Sequence, residues 1–262
     1  MTISTAKILA KKNHEKIICL TAYTFPMAKI LDEFCDIILV GDSLGMTIYG
    51  MPDTVDVTLQ MMINHGKAVM KAAKKSFVVV DLPCGTYEKS KEQALESAQK
   101  ILHETGCHAV KFEITKNLVE TVKFLTHHKI NVMGHVGLLP QHVREIGGYR
   151  YQGKDENSAK EILETAKEIE KAGAFSIVIE AVPASLATKI SNELKIPTIG
   201  IGASAECDGQ VLVIDDLLGF NQEFKPKFVT YYEDLAGKIS AAVAKFSADV
   251  KAKKFPAKEN LR

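Results

Sequence analysis

No surplus of charge marks this sequence, in which 33 Lys and Arg face 32 Asp and Glu. Proteins that grip a nucleic-acid backbone carry a basic footprint, so no nucleic-acid partner is expected. The five cysteines, Cys19, Cys35, Cys84, Cys107 and Cys207, include no CxxC pair, and their number is odd. Reduced thiols in a cytoplasmic protein are the simplest reading of that scatter. No apolar run is long enough to span a bilayer, and Ile8-Leu9-Ala10, set between lysines, is too short for a signal peptide. Neither a membrane partner nor export is therefore expected. No low-complexity tract or linker divides the chain.

What is present is a substantial core and a repeating pattern. Of 262 residues 46% are apolar and 25% charged, ordinary for a soluble globular protein. Short β-branched runs at 17–23, 37–40, 77–80, 109–112, 131–134, 176–179, 198–201 and 211–214 read as strands. Helical patterns fill most of the gaps, at 25–34, 58–75, 91–104, 118–127, 158–173 and 183–194, with a further helix at 236–250. Phe25, Ala28, Ile30, Leu31 and Phe34 give the first of these a broad apolar face, and Thr58 is a candidate cap for the second. Ser4 could cap a short amino-terminal helix, and 251–262 form a basic, loosely held tail. Eight strands mostly alternating with helices predict a single α/β domain over 1–262, a (β/α)8 TIM barrel, a fold that takes about 250 residues.

Parallel barrels keep their chemistry at the carboxyl ends of the strands. The run Ile37-Ile38-Leu39-Val40 is ended by Gly41 and followed by Asp42 and Ser43; the other strand ends deliver Asp81, Glu113, His135 and Glu180. Several carboxylates converging in a low-dielectric cleft repel one another unless a cation neutralises them. Oxygen donors without paired His or Cys point to Mg2+ over Zn2+. An acidic residue after a strand is, taken singly, as well read as a helix cap or turn residue; four together favour function. Lys111 lies two residues before Glu113 and shares its side of the strand, so it either anchors a substrate carboxylate or forms a structural ion pair. His135 reads as a hydrogen-bonded structural residue with a possible supporting role. Cys84 reads as a small apolar filler, and Gly200-Ile201-Gly202 is a weak ligand-approach motif. The stretch 136–157, rich in glycine and tyrosine, breaks the rhythm and is expected to be an ordered lid.

Eight ordered blocks carry a resemblance. Val40-Gly41-Asp42-Ser43-Leu44-Gly45-Met46-Thr47, Asp81-Leu82-Pro83, Val110-Lys111-Phe112-Glu113, Gly134-His135-Val136-Gly137-Leu138, Gly147-Gly148-Tyr149, Glu180-Ala181-Val182-Pro183, Gly200-Ile201-Gly202-Ala203 and Asp208-Gly209-Gln210-Val211-Leu212-Val213 together resemble the ketopantoate hydroxymethyltransferase family, from about Ile3 to Phe255. The resemblance implies a (β/α)8 fold, Mg2+, a homodecamer, and one-carbon transfer from 5,10-methylenetetrahydrofolate to 3-methyl-2-oxobutanoate on the way to pantothenate. It implies that Asp42, Asp81 and Glu113 surround the metal, that Asp42, Ser43, Asp81 and Lys111 line the ketoacid site, and that Glu180 is the base. Two departures stand out: Ile114-Thr115 where many members have two glycines, and Cys84-Gly85 in place of bulkier residues. The competing readings are a Mg2+-dependent 2-oxoacid lyase of the phosphoenolpyruvate and isocitrate lyase type, and a non-catalytic binding barrel.

Overall fold

A computed structural model describes residues 4–221 and 226–261. Ile3, where the family-like stretch begins, and Arg262, the last residue of the basic tail, lie outside the described residues. Eight strands form the barrel: β1 (Ile17–Thr21), β2 (Ile37–Val40), β3 (Phe77–Asp81), β4 (Ala109–Lys111), β5 (Val132–Gly137), β6 (Ser176–Glu180), β7 (Thr198–Ile201) and β8 (Gly209–Leu212). They are parallel and adjacent in chain order, and β8 pairs with β1 to close the ring. The (β/α)8 expectation therefore holds. All eight strands belong to one compact unit ending at Val213; a second unit from Ile214 holds a helical turn, Ile214–Leu217, and the helix Leu235–Lys251.

The barrel interior follows from side chains alternating along each strand. Ile17 and Cys19, Ile37 and Leu39, Phe77 and Val79, then Ala109, Met133, Val178, Ile199 and Val211 form one buried apolar cluster, joined by Ile8 from the helix Thr5–Ala10. The intervening residues Ile38, Val40, Val78, Val80, Val110 and Ile177 are buried too. That is the signature of strands covered on both faces, and it is why the runs read as continuously apolar.

Several boundaries differ from those predicted, among them the ends of β1 at Thr21 and of β4 at Lys111, and three have a direct physical cause. β8 starts and stops two residues earlier, because Gly209 reads as a breaker in sequence but in space lets β8 pass close to the backbone of Ile17; a Cβ there would crowd that carbonyl. β5 continues through His135 to Gly137, so His135 lies within the strand and not beyond it. The helix after the long loop begins at Glu156, capped by Asp155, whose side chain accepts from the Ser158 N–H; the Ser158 hydroxyl instead accepts from Gly153 N–H at 2.9 Å.

Two further expectations need correction. The helix stops at Leu31, short of the predicted end at Phe34, and only Ala28 and Leu31 in it are buried, whereas Phe25 and Ile30, and Phe34 beyond its end, are exposed. Positions 28 and 31 share one side of the helix and position 30 lies on another, so a single broad face was too generous. Ser4 occupies the cap position of the first helix, but its side chain makes no cap bond. Thr58 does cap, accepting from Met61 N–H.

The amino-terminal end of the barrel is tied by a buried polar knot. Asp208, just before β8, accepts from Lys12 Nζ at 2.8 Å, Thr198 N at 2.8 Å, Thr198 Oγ1 at 2.9 Å and Asn13 N at 3.2 Å. Burial pushes the Asp208 carboxyl up, but these donors outweigh it and hold it below its ordinary value of 3.8. A carboxylate depressed by folding contributes stability at higher pH that is lost as pH falls through its folded value. Removing one member of a buried ion pair costs about 3–5 kcal/mol. Asp208→Ala is expected to lower the unfolding free energy by about that amount in urea at pH 7. The difference in stability between the wild type and Asp208→Asn should shrink as pH drops below 3.8.

Candidate active site

Carried two residues further along the strands, the inward apolar stripe turns polar. Phe77 and Val79 are followed by Asp81, Ala109 by Lys111 and then Glu113, Met133 by His135, and Val178 by Glu180. The same alternation that fills the barrel thus delivers these groups to its carboxyl-end mouth. Asp42 and Ser43 follow β2 across Gly41.

The structure brings these residues into one linked set. Asp42 N–H donates to Asp81 Oδ2 at 3.1 Å, and Lys111 Nζ lies 3.0 Å from Asp81 Oδ1, within ion-pair range though out of line for a hydrogen bond. His135 Nε2 lies 3.2 Å from Glu180 Oε2, again at charge-contact distance without hydrogen-bond alignment. Ser43 Oγ and Tyr23 Oη are hydrogen-bonded at 2.7 Å. Sequence reasoning missed Gln141. Its N–H donates to both Glu113 oxygens, at 3.0 and 3.1 Å, and its Nε2 donates to Asp42 Oδ2 at 2.7 Å.

Asp42, Asp81, Lys111, Glu113 and His135 are all buried. Burial pushes Asp42 above its ordinary value, partly offset by Lys111 and Gln141. Asp81 rises for the same reason, against Lys111 and reinforced by Asp42. Glu113 is driven well up by burial and by Asp42. Burial pulls Lys111 down, yet Asp81, Asp42 and Glu113 outweigh it and raise the ammonium, which stays charged. His135 is lowered by burial and by Lys111, with Glu180 opposing, so its neutral form is favoured. One ammonium thus faces three buried carboxyls.

Excess buried negative charge held by oxygen donors suits a hard divalent cation. Among the described residues, no three His, Cys, Asp or Glu side chains gather closely enough to cage an ion. Mg2+ does not need such a cage, because it is commonly held by one or two carboxylates with water and substrate oxygens completing the shell. Asp42 and Asp81, already joined through a backbone N–H, fit that mode.

Backbone strain surrounds Glu180. Gly137, at the end of β5, has φ +96°, and a Cβ there would run into the Glu180 carbonyl oxygen, which accepts from Leu138 N–H at 2.8 Å. Ala181, directly after Glu180, adopts φ +46°, a left-handed conformation unusual for alanine. It is pinned by Ala181 N–H to Ile201 O at 2.9 Å and Gln152 N–H to Ala181 O at 3.0 Å.

The segment expected as a lid is ordered and partly helical, with turns at Pro140–His142 and Val143–Ile146. Arg144 donates to Asp53 at 2.8 and 3.0 Å and to Asp56 at 2.5 Å, and Tyr149 Oη donates to Met46 Sδ at 3.4 Å. These contacts brace it against the loop that follows β2.

The sequence pattern of the ketopantoate hydroxymethyltransferase family matches residues 2–258. The chain belongs to that family. It is 52% identical to the 3-methyl-2-oxobutanoate hydroxymethyltransferase of Rhizobium etli, over 98% of this chain and 94% of that one. It is 53% identical to that of Rhodospirillum rubrum, over 94% and 88% respectively. Among solved structures, phosphonopyruvate hydrolase with oxalate and Mg++ superposes with TM-score 0.65 at 10% identity, covering 100% of this chain and 92% of that one. A 2,3-dimethylmalate lyase gives TM-score 0.62 at 14% identity over 98% and 87%. At such identities the likeness shows the fold alone.

Within this hydroxymethyltransferase the two sequence departures sit beside the charged set. Ile114 is buried, its N–H bonded to His135 O at 3.0 Å, and Gly85 N–H is bonded to Glu88 at 2.9 Å. The glycine at 137 offers a clean test of the Glu180 geometry. Gly137→Ala is expected to destabilise by more than about 1 kcal/mol in thermal unfolding and to depress turnover. Gly147→Ala, where φ is +77° but no atom lies within 4 Å of the added Cβ, should cost only the left-handed penalty of about 1–2 kcal/mol.

Proposed function

We propose that this hydroxymethyltransferase of pantothenate biosynthesis takes its one-carbon unit from 5,10-methylenetetrahydrofolate and adds it to 3-methyl-2-oxobutanoate, with Glu180 as the base. The observation that carries the reading is the buried set in which Asp42, Asp81, Glu113 and Lys111 share one hydrogen-bonded and charge-coupled cluster beside the His135 and Glu180 pair. Asp42 and Asp81 would hold Mg2+ directly and Glu113 through water, since both Glu113 oxygens already accept from Gln141. When bound, the cation supplies Lewis-acid stabilisation of the charge that develops on a 2-oxoacid, worth several kcal/mol.

The chain's own residues do the rest. Lys111 remains charged and receives the ketoacid carboxylate, with the Ser43 hydroxyl, oriented by Tyr23, beside it. Glu180, less buried than its neighbours at 16% side-chain exposure and held next to neutral His135, takes the C3 proton. Water adds to the methylene carbon of the folate and its two C–N bonds break with the electron pairs and protons going to nitrogen, so that tetrahydrofolate leaves and the carbon is released at the formaldehyde level. The carbon nucleophile adds to that carbonyl carbon, and the resulting alkoxide takes a proton to become the hydroxymethyl group.

Five free cysteines support work in the cytoplasm. Exposed Ile30 and Phe34 support a homo-oligomer, decameric by family resemblance. A lyase of the 2,3-dimethylmalate type shares the fold only.

Glu180→Gln is expected to keep ketoacid and cation binding while slowing exchange of the ketoacid C3 proton with solvent by about 10²–10⁴-fold, followed by NMR in D2O. Full exchange in that variant would remove Glu180 from the role. Turnover with ketoacid, methylenetetrahydrofolate or Mg2+ omitted in turn should fail on each omission, and product formed without folate would favour the lyase.

A further inference from the structure

We infer that Gln141 is a positioning residue that sets the orientation of the Asp42 carboxylate, and with it the affinity of the site for a divalent cation. This rests on the reading of Asp42 and Asp81 as the cation's protein ligands. Gln141 lies in the short turn Pro140–His142, outside every strand, yet it is buried and engages its backbone N–H and both ends of its side-chain amide. Its backbone N–H spans both oxygens of Glu113, its Nε2 donates to Asp42 Oδ2 at 2.7 Å and to Leu82 O at 3.0 Å, and its Oε1 accepts from Tyr87 Oη at 2.5 Å.

These partners fix which way the amide points. The Leu82 carbonyl can only accept, as does the ionised Asp42 carboxylate that would hold a cation, so the NH2 faces them, while the Tyr87 hydroxyl, fully buried, supplies the donor that Oε1 needs. Turning the amide over would set its oxygen against two acceptors and strand the Tyr87 hydroxyl against a donor. Tyr87 is itself held by packing against Phe112, at 5.0 Å between ring centroids. The orientation of one acid after β2 is therefore dictated by an aromatic ring after β3, through a residue after β5. Barrel packing alone does not call for this bridge, since an apolar side chain of the same volume would fill the space.

Groups that hydrogen-bond to a metal-ligating carboxylate typically change metal affinity by about 10–100-fold when removed. The test is Gln141→Met, which keeps side-chain volume and the backbone N–H to Glu113 but loses all three side-chain hydrogen bonds, to Asp42, Leu82 and Tyr87. Mn2+ binding, followed by water-proton relaxation without any substrate, should weaken by about 10–100-fold, with cooperative thermal unfolding retained. Tyr87→Phe removes only the hydroxyl that fixes the amide and should weaken Mn2+ binding in the same direction by less. A purely structural role would lower the melting temperature and leave the Mn2+ affinity unchanged. Wild-type affinity in a folded Gln141→Met overturns the inference; if that variant does not fold, wild-type affinity in Tyr87→Phe overturns it. Wild-type protein that binds no Mn2+ overturns this inference together with the cation reading. Wild-type protein that binds Mn2+ without exchanging the ketoacid proton sinks the proposed reaction alone.

Discussion

The structure depends on how much negative charge a closed barrel can bury. Asp42, Asp81 and Glu113 are withdrawn from water beside a single ammonium, Lys111, and burial drives all three carboxyls toward their protonated forms. Such a cluster is unfavourable unless something compensates it. Lys111, two donors from Gln141 and the Asp42 backbone N–H supply part of that compensation. The remainder is uncompensated negative charge, which on the proposed reading a divalent cation would neutralise.

The rest of the fold keeps that arrangement from relaxing. The amino-terminal end is closed by the Lys12 and Asp208 knot, so the strands cannot splay from below. At the other end, Gly137 lets β5 and β6 run close enough for Leu138 to hold the Glu180 carbonyl, and the left-handed Ala181 turns the chain away immediately afterwards. Strain at a single alanine costs on the order of 1–2 kcal/mol, a small charge against the bonds that surround it. The segment after β5 brings Gln141 inward and is braced outside by Arg144 on Asp53 and Asp56.

The two polar systems are built on opposite physical terms. At Asp208 the donors outnumber the charge and hold the carboxylate ionised, which stabilises the fold. At the mouth the acids outnumber the donors, which destabilises their charged forms. Stability is concentrated at one end of the barrel and chemistry at the other, as parallel barrels in general divide them.

The strands and the inward acids were legible in the sequence because both rest on a short-range rule. A continuously apolar run ended by glycine or an acid marks a buried strand and its carboxyl end, and Lys111 and Glu113 could be assigned to one side because side chains alternate along a strand. His135 was legible as a strand-end group, though it proved to lie inside β5. Gln141 was not, because nothing local distinguishes a glutamine after Pro140; its partners lie 28 to 99 residues away, and only closure of the barrel brings them within reach. The exposed side of the helix Phe25–Leu31 and the early start of β8 were hidden for the same reason. Local periodicity and composition determine which residues are candidates. Closure of the ring decides which of them touch, because contact depends on distances that spacing along the chain does not encode.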